Sequence, residues 1–282
     1  MDFKYYKVDE RSVSFDINEL FPNFSSNEVL AVMSPHDDDA IIGAGYAMLA
    51  AKESGADVYV VIFCRGDAGY STVEEKETIE AVRERETVEC YKRLGISEDH
   101  ILRLNFPDFS AFCNIGWEKA DGSCGDMPYI LKFFRDKKVT RVMVPNHNRE
   151  HIDHTAAHIM SSFDVPQAGD MALVDYGTPH AVKSVLEYSV WADLDPEDAL
   201  VSGRDTALRA NRIISASADV EAKIDDAICA YVSQEEIIKG LVASRSERKT
   251  EDGRFIEVYI SLDCRPKINL KPYISFIENL GI

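Results

Sequence analysis

Ser34-Pro35-His36-Asp37-Asp38-Asp39 places an imidazole and three carboxylates in consecutive positions. Adjacent carboxylates repel one another, and crowding them beside an apolar segment costs free energy unless a cation is present. Aspartate in the first turn of a helix is favoured by the helix dipole. That accounts for one or two of the aspartates, but not for His36 followed by all three. A divalent metal accounts for the whole stretch. A second histidine-rich stretch runs from Asn146 to His158 and holds His147, His151, His154 and His158, four of the seven histidines in the chain. Catalytic zinc takes three protein ligands of imidazole and carboxylate type and keeps a position open for water. His36, Asp39 and His154 supply such a set.

Both stretches follow short apolar runs, Val29–Met33 and Arg141–Pro145, that read as buried strands. Helices are expected after them, at about 39–54 and from Thr155 to about Phe163. Side chains at the carboxyl ends of strands in an open α/β sheet lie where ligands bind. Further strands are expected at 57–64 and 101–106. A glycine loop is expected at 65–70, and helices at about 74–94 and 128–135. The apolar stripe of the first of these helices is read as Ile79, Val82, Val88 and Tyr91. This βαβα alternation predicts a Rossmann-like α/β fold, an open and mainly parallel sheet with helices on both faces. Residues 1–28 read as an arm with one strand. Beyond about 165 come a loop at 176–180, a strand pair or bent strand at 182–191 and a loop at 193–198. A helix at 221–242 interrupted near Ser233 and a late strand at 255–260 follow. The expected organisation is one α/β domain over 1–282, with a core at about 28–165 and a C-terminal strand and helix extension at about 166–282. Gly43 and Gly45 fall inside the first helix, and Met48 stands where a dinucleotide fingerprint needs a third glycine. They are read as close helix–sheet packing.

These motifs resemble the PIG-L/LmbE-like deacetylases, metal-dependent amidases acting on N-acetylglucosamine-type conjugates. Pro35-His36-Asp37-Asp38-Asp39-Ala40 is similar to the family's Ala/Pro-His-Pro-Asp-Asp-Glu, and His151-Ile152-Asp153-His154 to its His-Pro-Asp-His. Arg83-Glu84-Arg85-Glu86 with Leu94-Gly95, Leu104-Asn105-Phe106-Pro107-Asp108, and Lys223, Tyr231 and Ser233-Gln234 resemble its outer motifs, with Tyr231 in place of a histidine. The resemblance implies His36, Asp39 and His154 as metal ligands and Asp38 as general base. It implies His151 as the group that stabilises the oxyanion or protonates the leaving amine, with Asp153 holding that imidazole oriented and cationic. It implies Arg83 and Asp108 as substrate contacts. One divalent metal is expected, zinc first, with iron(II) and manganese(II) as alternatives. Two departures stand out. Asp37 replaces a proline and is expected to face solvent, and Ala40 replaces a glutamate that tunes the metal.

Asp and Glu number 49 against 31 Lys and Arg, a formal charge of −18. Such a surface repels phosphate backbones, so nucleic acid is not an expected partner. Nor is a membrane, since the segment from Met1 to Lys7 lacks a signal-peptide core and no run reaches the roughly 20 apolar residues of a spanning helix. Six scattered cysteines without a Cys-x-x-Cys pair indicate reduced thiols and a cytoplasmic location. The expected partner is a small acylated amino sugar, and a homo-oligomer is allowed for. The alternatives are a metal hydrolase acting on another amide or an ester, and a sugar-binding relative without activity. Specificity is expected in loops 65–75, 108–127 and 176–215. His147 and His158 are read as structural, and Arg149 and Glu150 as a pair or as lining the mouth. Arg83 has a competing reading as an exposed partner of Glu86.

Overall fold

The computed structural model describes residues 1–194 and 208–280. The loop expected at 193–198 and the specificity segment expected at 176–215 therefore lie partly outside the described residues. The strands are β1 (Phe3–Lys7), β2 (Ser12–Ser14), β3 (Val29–Ser34), β4 (Asp57–Cys64), β5 (Ile101–Phe106), β6 (Arg141–Pro145), β7 (Ser184–Tyr188), β8 (Arg212–Ala216) and β9 (Phe255–Leu262). The helices are α1 (Asp39–Glu53), α2 (Ile79–Arg93), α3 (Met127–Asp136), α4 (Ile152–Ala168), α5 (Ala218–Ile228), α6 (Glu235–Ser246) and α7 (Lys271–Asn279).

All nine strands join one sheet in the order β2-β1-β8-β9-β7-β6-β3-β4-β5. The half from β5 to β7 is parallel, and β9, β8, β1 and β2 continue it antiparallel. From β3 the chain winds outward through β4 and β5, then returns to lay β6 on the other side of β3. The strand order therefore reverses between β3 and β6, which opens a crevice beyond their carboxyl ends. Both histidine stretches emerge there.

The central strands are apolar at consecutive positions because both faces are covered. In β3, Leu30 and Val32 pack under α1, α2, α5 and α6, while Ala31 and Met33 pack against α3 and α4. β8 and β9 lie between β1 and β7, so the C-terminal region contributes strands within the sheet. The expected bend at 182–191 is a single strand, β7. The helix expected at 221–242 is broken into α5 and α6 by a 3-10 turn at Val232–Gln234, close to the anticipated Ser233. The N-terminal arm carries two strands. No helix among the described residues is long and apolar enough to cross a membrane.

Two helices differ from expectation in ways that matter for the site. α2 starts at Ile79, after a separate 3-10 turn at Val73–Glu75. Its buried face is Ile79, Arg83, Thr87, Cys90 and Tyr91, with two polar residues where an apolar stripe was expected. α1 leaves helical geometry at Ala44 (φ −132°, ψ 16°). In an uninterrupted helix the Tyr46 N–H would donate to the Ile42 carbonyl. Here Tyr46 N donates to Glu257 Oε2 at 2.9 Å, and the Ile42 carbonyl accepts from Arg245 at 2.7 Å and Arg248 at 3.1 Å. Inserted side chains of this kind are a recognised cause of kinks. The glycines beside the kink allow close packing, as expected. A Cβ on Gly43 would lie 2.3 Å from the Tyr188 ring and 2.7 Å from the Ser189 carbonyl oxygen.

Candidate metal centre

The turn after β3 is held by its own polar groups. Ser34 Oγ donates to the His36 carbonyl and accepts from Ala40 N, and His36 N donates to Asp39 Oδ2 at 2.8 Å. The Asp37 carbonyl accepts from the hydroxyls of Tyr91 and Tyr231 at 3.0 and 2.6 Å. Tyr231 thus backs the turn. Ser233 and Gln234 extend this support, since Ser233 donates to Glu86 and Gln234 to the Gly69 carbonyl.

Asp39 Oδ2 lies 3.0 Å from His36 Nδ1 and 3.0 Å from His154 Nε2. The far nitrogen of each imidazole faces another carboxylate. His36 Nε2 is 3.3 Å from Asp153 Oδ2, and His154 Nδ1 is 2.7 Å from Glu150 Oε2. Those carboxylates would keep protons on the far nitrogens when a metal displaces the protons of His36 Nδ1 and His154 Nε2, the two nitrogens that face Asp39. Metal-bound histidines are oriented in this way. His154 Nε2 is fully buried and makes no aligned hydrogen bond. These ligand atoms of His36, Asp39 and His154 lie within 4.8 Å of one another, so the residues present fit a divalent metal.

The electrostatics agree with a site built for positive charge. Burial disfavours a proton on His154, yet Asp39 and Glu150 override it and raise its pKa to about 9. Burial opposes charge on His36 too, and Asp153 and Asp39 push its pKa well above the ordinary histidine value. Asp39 moves the other way: burial raises it, but the two imidazoles hold it well below the carboxylate range. Asp38, one residue earlier, has its pKa raised by burial and by the Asp39 and Asp37 charges, against the lowering pull of Arg83 at 3.4 Å.

His151 caps α4, its Nδ1 accepting from Asp153 N at 3.1 Å. A neutral His151 consequently carries its proton on Nε2. Asp153 Oδ2 is 3.6 Å from His151 Nδ1 and closer to His36. Asp153 also accepts from the backbone of Phe109 (2.6 Å) and Ala111 (3.1 Å). Burial and the neighbouring His36 lower the pKa of His151, where a cationic His151 was expected. Asp153 pulls the other way, but burial and the His36 charge outweigh it.

Other expectations also change. Asp37 is fully buried. Its carboxylate accepts from Arg83 Nε at 2.9 Å, Thr87 Oγ1 at 2.7 Å and Arg103. These are the partners of the polar positions on α2. Arg83 is itself buried between Asp37 and Asp38, and Glu86 bonds Ser233 in place of pairing with Arg83. Asp108 accepts from Gly66 N (2.9 Å) and Ala68 N (3.0 Å), which pins the glycine loop beside the site.

Glu150 neither pairs with Arg149 nor lines the mouth. Its Oε1 accepts from Ser189 Oγ and from the backbone of Val190, Trp191 and Ala192 at 2.8–3.1 Å. The one local signal for its role is its place four residues before His154. Two exposed aromatics also went unrecognised as neighbours of the site: Trp191 stacks on His154 with ring centres 5.4 Å apart, and Phe109 lies 4.6 Å from His151. Within 108–127, Phe109, Phe112 and Trp117 are exposed, and Met127 is half-buried.

Residues 31–162 match the family model described as PIG-L, GlcNAc-PI de-N-acetylase. No curated protein sequence matches the chain. Among solved structures, the chain resembles the conserved protein TT1542 from Thermus thermophilus (22% identity, TM-score 0.61, covering 86% of this chain and 97% of that one). It also resembles the N,N'-diacetylchitobiose deacetylase from Pyrococcus horikoshii (17%, 0.63, 89% and 88%). A third is the 4-carboxy-2-hydroxymuconate hydratase from Pseudomonas putida (17%, 0.61, 86% and 99%). At these identities the likeness is one of fold.

Proposed function

We propose that this chain, whose residues 31–162 match the PIG-L family model, is a metal-dependent N-deacetylase of that family. Its substrate would be an N-acetylglucosamine-type or other N-acylated small conjugate. The observation that carries this reading is the pair of oriented imidazoles, His36 held by Asp153 and His154 held by Glu150, converging on Asp39 with Asp38 alongside. A related fold carries a hydratase, so the reaction is argued from these side chains and not from the fold.

His36, Asp39 and His154 would hold the metal, zinc by preference and iron(II) or manganese(II) as alternatives. Once bound, it would polarise the amide carbonyl and acidify a water molecule. Asp38 takes the proton of the attacking water. Its raised pKa suits it both to accept that proton and to return it to the leaving amine. His151 presents Nε2–H to the developing oxyanion as a neutral donor, with Asp153 N fixing the tautomer. Arg83 acts behind the site by holding Asp38 and Asp37, and Asp108 by shaping the 66–68 loop. The six unpaired thiols support a reducing compartment such as the cytoplasm for this enzyme.

The test is release of acetate from N-acetylglucosamine and N,N'-diacetylchitobiose by wild type and Asp38→Asn. Wild type is expected to release acetate, and Asp38→Asn to lose about 10²–10⁴-fold in kcat with metal still bound. An Asp38→Asn protein with near-wild-type turnover would remove Asp38 from its role.

A further inference from the structure

Glu187 on β7 is 2% exposed. Four other buried carboxylates meet a guanidinium or ammonium: Glu28 meets Arg141 and Lys183, Asp37 meets Arg83 and Arg103, and Glu221 and Glu257 meet Arg245. Among the described residues, Glu187 has no such partner. Its ion-pair neighbours are two imidazoles, His147 Nδ1 at 3.1 Å and His158 Nδ1 at 3.9 Å. Carboxylates paired with imidazoles recur in this molecule at the centre formed by His36, Asp39 and His154.

The geometry of the second cluster follows the same pattern. The rings of His147 and His158 lie 4.4 Å apart between centres. A nitrogen of each ring and an oxygen of Glu187 all lie within 4.8 Å of one another. His158 Nδ1 is 2.8 Å from the Pro145 carbonyl oxygen, which can only accept. Nδ1 therefore carries a proton, which makes Nε2 the candidate ligand atom of this ring. A backbone carbonyl orienting a ligating histidine in this way is a common arrangement. The three side chains come from three elements: the turn after β6, the middle of α4, and β7. The backbone around them is fixed independently, by Asn146 N on the Tyr188 carbonyl at 2.7 Å and Thr155 Oγ1 on the His147 carbonyl at 3.0 Å.

We propose that His147, His158 and Glu187 bind a second divalent cation, separate from the one held by His36, Asp39 and His154. Two imidazoles and a carboxylate select zinc or a similar borderline metal over calcium or magnesium. The bound cation neutralises Glu187 and ties the turn after β6 to α4 and β7. That turn runs directly into Glu150 and His151, so the second site braces the support of the first.

The experiment is zinc binding to the chelator-stripped protein, measured by calorimetric titration and by elemental analysis after dialysis. It compares wild type, Glu187→Gln, His147→Ala, His154→Ala and the Glu187→Gln/His154→Ala double variant. Wild type is expected to hold one equivalent more than Glu187→Gln, and His154→Ala to keep an equivalent that the double variant loses. His147 is partly exposed, so His147→Ala keeps the test decisive if Glu187→Gln fails to fold; loss of one ligand should weaken the second equivalent at least tenfold. Zinc lost from Glu187→Gln and His147→Ala but unchanged in His154→Ala would support this site while removing the first. Equal zinc in wild type, Glu187→Gln and His147→Ala would overturn the second site and leave the first untouched.

Discussion

Asp37 stands where the resembling family has proline, and it has become the centre of a buried cluster with Arg83, Arg103 and Thr87. Burial pushes its pKa up, but the two guanidinium groups outweigh burial and hold it below the ordinary carboxylate value. A depressed folded pKa adds stability above the unfolded value of about 3.9 and loses it as pH falls through the folded value. Asp37→Asn takes the shared counter-charge from half-buried Arg103 and from buried Arg83, which keeps only Asp38, and this should cost about 3 kcal/mol at pH 7. Denaturant melts at pH 7 and pH 3 should show the gap to wild type narrowing at the lower pH; a constant gap would mean that the charge is not what stabilises. Glu150 gives a second prediction. Glu150→Gln can donate to His154 Nδ1, which shifts the ring proton to the nitrogen needed by the metal. Zinc affinity at that centre should fall about 10–100-fold, and calorimetric titration should show unchanged affinity if Glu150 only shapes the loop. The convergence of His36, Asp39 and His154 was legible in the sequence because both clusters follow apolar runs that read as strands of one sheet. The burial of Asp37 was not legible, since Arg83 and Arg103 reach it from α2 and β5. Nor was the role of Glu150, whose Oε1 is held by a backbone turn at Ser189–Ala192.

At the scale of elements, the kink in α1 links the site to the opposite half of the sheet. Glu257 on β9 and Arg245 on α6 satisfy backbone groups that the helix itself gives up. Gly43 allows Tyr188 and Ser189 to approach that helix. Gly43→Ala should therefore destabilise by about 1–3 kcal/mol through overpacking. It should also weaken zinc binding, because the Ser189 segment that holds Glu150 must move. A thermal melt paired with zinc titration tests both, and an unchanged metal affinity would detach Gly43 from the site. β4, β5 and β6 matched their expected limits because β-branched and apolar runs bounded by turn residues leave few choices. α2 did not match. Its buried face is polar at Arg83 and Thr87, and a hydrophobic pattern carries no mark of a distant carboxylate.

Over the whole molecule, the parallel half of the sheet was legible from the βαβα alternation, and with it the strand-order reversal that brings residue 36 to residue 154. The antiparallel half was only partly legible. β9 alternates clearly, whereas β8 and the short β1 and β2 are recognised by pairing partners far away in the chain. In the proposed enzyme the crevice between β3 and β6 holds a metal on His36, Asp39 and His154. The most direct measurement is the zinc content of the Glu187→Gln protein, in which the second cluster is disabled, with and without His154→Ala. About one equivalent is expected in the first and essentially none in the second. Equal zinc in both, or none in either after incubation with excess zinc, would contradict it.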